Sequence, residues 1–140
     1  MRKLILAAFF IATFANADNQ ATMLVFKCVP ENSKKSTIVT WQDVKEEDGW
    51  HRYASWSDRL GDHYGVELYF NASTPNDNGQ IEDIFVFGKM NSKMRIAGPA
   101  ISMIANKKEK KLTYSITNDK AGSDARNPIE SGNCFLTDKR

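Results

Sequence analysis

The sequence lacks most of the features that would assign it a chemistry. It has no GxSxG elbow, no HExxH pair, no phosphate loop and no GxGxxG turn, so the common hydrolase, metalloprotease and nucleotide-binding signatures are missing. At 140 residues it is too short for a Rossmann or TIM-barrel enzyme with a second domain. No apolar run reaches the roughly 18 residues of a membrane span; Leu4–Phe14 covers 11 residues and is interrupted by Thr13. The turn Asn76-Asp77-Asn78-Gly79 has the glycine of a calcium loop but not its ligands: with Gly79 in the sixth position, the twelfth is Phe85 where a glutamate is required. What is present is 41% hydrophobic residues and 11% aromatics, too apolar a composition for a disordered chain.

The first seventeen residues read as a leader. Arg2 and Lys3 form a basic start, Leu4–Phe14 an apolar core, and Ala15-Asn16-Ala17 a small-x-small cleavage site. Cleavage after Ala17 is expected, leaving a single domain over residues 18–140 that is exported to the periplasm or the medium. All 17 acidic residues lie beyond that point, whereas two of the 19 basic ones precede it, so the mature chain is formally neutral. A neutral protein has no global field to draw it to nucleic acid or to an anionic membrane, and neither is expected as a partner.

Only two cysteines are present. Neither Cys28 nor Cys134 has a nearby histidine, a CxxC partner or a helix N-terminus to lower its pKa. In an exported chain the expectation is one structural disulfide joining them.

The pattern is that of strands almost throughout. Thr22–Val29, Ser36–Lys45, Trp50–Trp56, Gly65–Ala72, Ile81–Met90, Lys93–Ala97, Ala100–Ala105, Lys111–Thr117 and Asn133–Thr137 are rich in β-formers or alternate between apolar and polar residues, with turn signals between them. In Ile84-Phe85-Val86-Phe87 no polar residue alternates, which predicts burial on both faces. Trp50, Tyr53, Ser57 and Leu60 also fit helical spacing. Gly98-Pro99 is expected to break a strand, and Asn118–Gly132, without periodicity, reads as a long loop. The fold class is all-β: a small antiparallel barrel or sandwich of eight or nine short strands, with the disulfide linking the first to the last.

Residues 41–70 hold all three tryptophans (Trp41, Trp50, Trp56), both histidines (His51, His63) and three of the four tyrosines. The tryptophans are expected in the core. If Trp50, Ala54 and Trp56 face inward, His51 and Tyr53 face outward, and with Tyr64 and Tyr69 they form a candidate aromatic binding face. Asp119, Asp124 and Arg126 of the long loop are candidate polar contacts, because structureless loops of that length are often functional. His51, Asp58, Asp62 and His63 match no standard metal spacing, so neither metal nor cofactor is expected, and no residue is assigned a catalytic role. The charge clusters Glu46-Glu47-Asp48 and Lys107–Lys111 read as solvated hairpin tips.

These readings lean away from an enzyme. They favour a non-catalytic domain that recognises a protein or glycan through the aromatic face and the loop. A lipocalin-like carrier of a small apolar ligand is the alternative, and a small hydrolase using His51 or His63 ranks last. Neither the oligomeric state nor the ligand follows from the sequence.

Overall fold

A computed structural model describes residues 22–140. The expected leader and its cleavage site lie outside the described residues. Eight strands follow one another: β1 (Thr22–Pro30), β2 (Thr37–Glu46), β3 (Gly49–Asp58), β4 (Gly61–Pro75), β5 (Ile81–Met90), β6 (Ile96–Asn106), β7 (Lys111–Asn118) and β8 (Glu130–Lys139). Each pairs antiparallel with its chain neighbours, and β8 returns to β1, so the sheet closes into an up-and-down barrel. Closure leaves no strand edge unpaired around the ring. The strands run from 8 to 15 residues; β2 and β5 have the length the sequence pattern suggested and the others are longer.

Side-chain alternation dictates the inside. Thr22, Leu24, Phe26 and Cys28 of β1 are buried, as are Val39, Trp41 and Asp43 of β2, with the intervening residues more exposed. The stretch Trp50–Leu60, where helical spacing also fitted, is strand from Gly49 to Asp58.

Three other expectations change. The run Ile84–Phe87 is not buried on both faces: Phe87 is fully buried and Phe85 packs on the core, while Ile84 and Val86 are half-buried partners of Ala72 and Phe70. Apolar residues on the outer face hid an ordinary alternation. Gly98-Pro99 does not end a strand; β6 runs through it. Gly98 sits at φ 72°, its N–H donates to Asp119 Oδ1, and β6 bulges between Ala97 and Ile101, the partners of Lys89 and Phe87. The long loop is shorter and more ordered than expected. A 3-10 turn occupies Asp119–Ala121, Asp124 bridges to Asn127, and β8 begins at Glu130 because Glu130–Asn133 extend the ladder with Ile116–Thr113.

Trp41 fills the middle of the barrel. From β2 its indole reaches Phe85 and Phe87 of β5, at centroid distances of 4.8 and 5.3 Å, and donates its Nε1–H to Met103 Sδ of β6 at 3.2 Å. Phe26 of β1 closes the cluster at 4.9 Å. The Arg52 guanidinium lies 4.9 Å from the Trp41 ring centroid and forks onto Asp43 with bonds of 2.6 and 2.8 Å. Tyr114, also buried, donates to Glu130 Oε2 at 2.6 Å. Burial first, and that carboxylate second, push its hydroxyl far above the usual tyrosine range.

The barrel closes at the β1–β8 ladder, where Cys28 and Cys134 are direct partners and form the disulfide. Two residues away the backbones come close enough to require glycine. A Cβ on Gly132 would lie 2.0 Å from the Val29 carbonyl oxygen.

Candidate functional site

Three features outside the core bring chemistry-bearing residues together. The first lies on the outer face of the β2–β3 hairpin. The register pairs Glu46 with Gly49 and Val44 with His51, leaving Glu47 and Asp48 as a two-residue turn. Inward-facing Arg52 and Ala54 force His51 and Tyr53 outward, and the pairing of Tyr53 with Glu67 brings β4 into the group. His51 Nδ1 lies 2.7 Å from Glu67 Oε2, and its Nε2 lies 2.6 Å from Asp48 Oδ1. Glu46 Oε1 stands 3.8 Å from the same Nε2. Tyr53 donates its hydroxyl to Glu46 Oε2, and its ring stacks beside His51 with 6.3 Å between centroids.

The charges follow from this geometry. The hydrogen bond to Glu67, and then that to Asp48, hold the imidazole proton and raise His51 to about 9. The same contact holds Asp48 below the ordinary carboxylate range. The bond to Glu46 pushes Tyr53 up to about 12. At neutral pH His51 is therefore an imidazolium donating from both nitrogens.

The second feature is the β3–β4 hairpin at the far end of β3. The Asp58 side chain is fully buried and accepts from Trp56 Nε1 (3.0 Å), His63 Nε2 (3.0 Å) and the Leu60 amide (2.8 Å). The Trp56 and His63 rings meet at 5.1 Å. Ser57, the nearest hydroxyl in sequence, donates to Asp62 instead of approaching His63. The carboxylate locks a turn. Asp58→Ala strands three donors and is expected to cost about 2 kcal/mol in urea unfolding; an unchanged midpoint would show that the turn does not need it.

The third feature is a cleft of about 640 Å³ at the same end as that hairpin, walled by Asn32, Ser33 and Lys35 of the β1–β2 turn, by Arg59, and by Pro128 and Ile129. Its size is that of a ligand-sized depression.

The residues singled out from the sequence are thus divided. His51 and Tyr53 lie together, and Tyr69 is two residues along β4 from Glu67, with its hydroxyl 3.7 Å from Met90 Sδ. Tyr64 is 78% exposed and stands near the β3–β4 turn, donating to Asp62. It is five positions along the strand from Tyr69, about 16 Å of chain. His51 lies near the start of β3, whereas His63 lies on β4 opposite Trp56 near the end of β3, so they share no site. In the loop, Asp119 accepts from Gly98, and Asp124 accepts from the amides of Arg126 and Asn127. Both carboxylates organise backbone, and Arg126 is exposed. Glu46, Asp48 and Glu67 were not among the candidates, and neither were Lys35 and Arg59. The spacing Glu-x-Asp-x-x-His across a hairpin was the available signal for the first group.

No helix among the described residues is long and apolar enough to cross a membrane. Compared with protein-family models, with curated proteins and with solved structures, the chain gives no significant match.

Proposed function

We propose that this chain is a small exported binding domain, and that it recognises a segment of a protein partner at the barrel end carrying the 640 Å³ cleft. The observation that carries this reading is the filled interior. Trp41 crosses from β2 to β5 and β6, which occupies the space a carrier would reserve for its ligand and favours recognition on the outer surface. A glycan has less support than a protein. Stacking on sugar rings needs aromatic planes at the site, but Trp41 and Trp56 are buried, and the exposed Tyr64, Tyr69, Phe70 and Phe135 are not among the residues that line the cleft. The cleft instead sets two cations, Lys35 and Arg59, and two carboxylates, Asp58 and Glu130, beside Ile38, Ile129 and two prolines, a mixture suited to an extended peptide segment of mixed charge. Export is supported by the leader-like residues 1–17 and by a disulfide that requires an oxidising compartment.

A photo-crosslinking residue at Asn32 tests this in the protein's own exported compartment. The expected result is a single protein adduct that is absent when the probe stands at Lys110, in the β6–β7 turn, and reduced at least tenfold by a Lys35→Glu/Arg59→Glu pair. A native mass carrying a small apolar molecule, with no adduct from Asn32, would overturn the reading in favour of a carrier.

A further inference from the structure

We propose that the outer face of the β2–β3 hairpin is a binding site for a divalent first-row transition cation of the zinc type, held by Glu46, Asp48 and His51. One ligand atom from each of these residues lies within 4.8 Å of the others, on a hairpin whose register is already set. The imidazole separates this group from an ordinary acidic turn, because calcium and magnesium take oxygen ligands and zinc-type ions favour nitrogen.

The two imidazole nitrogens have different surroundings. Nδ1 faces the Glu67 carboxylate at 2.7 Å, the carboxylate–histidine pairing that keeps a proton on one nitrogen and turns the other toward a metal. Nε2 is the nitrogen that faces Asp48 Oδ1 and Glu46 Oε1. The Glu46 oxygens are divided in the same way: Tyr53 donates to Oε2, and Oε1 is the atom turned toward Nε2. The ligand atoms of His51 and Glu46 thus each have their partner atom occupied by a supporting group.

Charge points the same way. Three carboxylates surround one imidazole, leaving two negative charges in excess even with His51 protonated. Of the cations on β2 and β3, Arg52 forks onto Asp43 and Lys45 lies over the Trp50 ring at 6.0 Å. A divalent ion neutralises that excess. On binding it takes the Nε2 lone pair, the Nε2 proton leaves to solvent, and the Nδ1 proton stays on the bond to Glu67. Three protein ligands leave a fourth position to water. Glu67 acts here as a positioning residue.

The test is calorimetric titration of the metal-stripped full chain with zinc chloride, together with the His51 ring nitrogen shifts. The expected result is one zinc per chain with a displaced Nε2 resonance. His51→Ala should weaken binding at least a hundredfold, Glu67→Gln about tenfold, and His63→Ala should leave it unchanged. Should His51→Ala perturb the fold, Asp48→Asn on the exposed turn carries the same expectation of weakened binding. Absence of binding at submillimolar zinc, or equal binding by wild type, His51→Ala and Asp48→Asn, overturns the proposal.

Discussion

Replacing Cys28 and Cys134 together by alanine is expected to lower the free energy of unfolding by about 4–5 kcal/mol, the largest single effect anticipated for this chain. The two residues are 106 apart in sequence, so the bridge ties nearly the whole domain into one loop and removes many conformations from the unfolded ensemble. It also stands in the β1–β8 ladder, the one pairing between strands that are not consecutive in the chain. Alanine is the appropriate replacement because both positions are buried, and serine would add an unpaired hydroxyl. If the effect works through the unfolded state, the variant should also show a steeper urea dependence, since an untied chain exposes more surface. A loss below about 1 kcal/mol would show that hairpin pairing alone holds the barrel shut.

Trp41→Ala should cost about 3–5 kcal/mol. The lost indole touches Phe26, Phe85, Phe87 and Met103, residues of three other strands, and no single neighbour can move in to fill the gap. The Arg52–Asp43 pair would also lose the ring it rests on. The vacated space should then accept indole or benzene, so added indole should raise the melting temperature of the variant and leave wild type unaffected. Trp50, half-buried near the β2–β3 turn, should lose much less when replaced. A variant as stable as wild type, or one indifferent to indole, would contradict the view of Trp41 as the barrel's filling.

The strands were legible because each carries its own evidence: β1 and β2 are rich in β-formers, Val66, Leu68 and Phe70 of β4 and Leu112, Tyr114 and Ile116 of β7 alternate with polar or outward residues, and the turns have turn-forming residues. The disulfide was legible from two cysteines and a leader. Ile84–Phe87 misled because an apolar outer face erases the polar alternate from which orientation is inferred. Gly98-Pro99 misled because a bulge in β6 itself, opposite Phe87–Lys89, accommodates what a regular ladder would reject. Of the carboxylate–imidazole group, only the hairpin spacing of Glu46, Asp48 and His51 was legible, and the part that β4 supplies was not. Glu67 joins His51 only through the pairing of Tyr53 with Glu67, and register is a property of two strands. Asp43 and Arg52 were overlooked for a related reason: a charged residue on a strand reads as outward until its partner across the ladder is known.

The even number of strands gives the molecule two unlike poles. Met23 and Arg140 exchange backbone hydrogen bonds of 2.9 and 2.8 Å, so the first and last described residues emerge side by side. They leave from the pole of the β2–β3 turn, whereas the cleft opens at the other. A tag, a linker or a surface attachment joined at Arg140 would therefore point away from the cleft and present it outward.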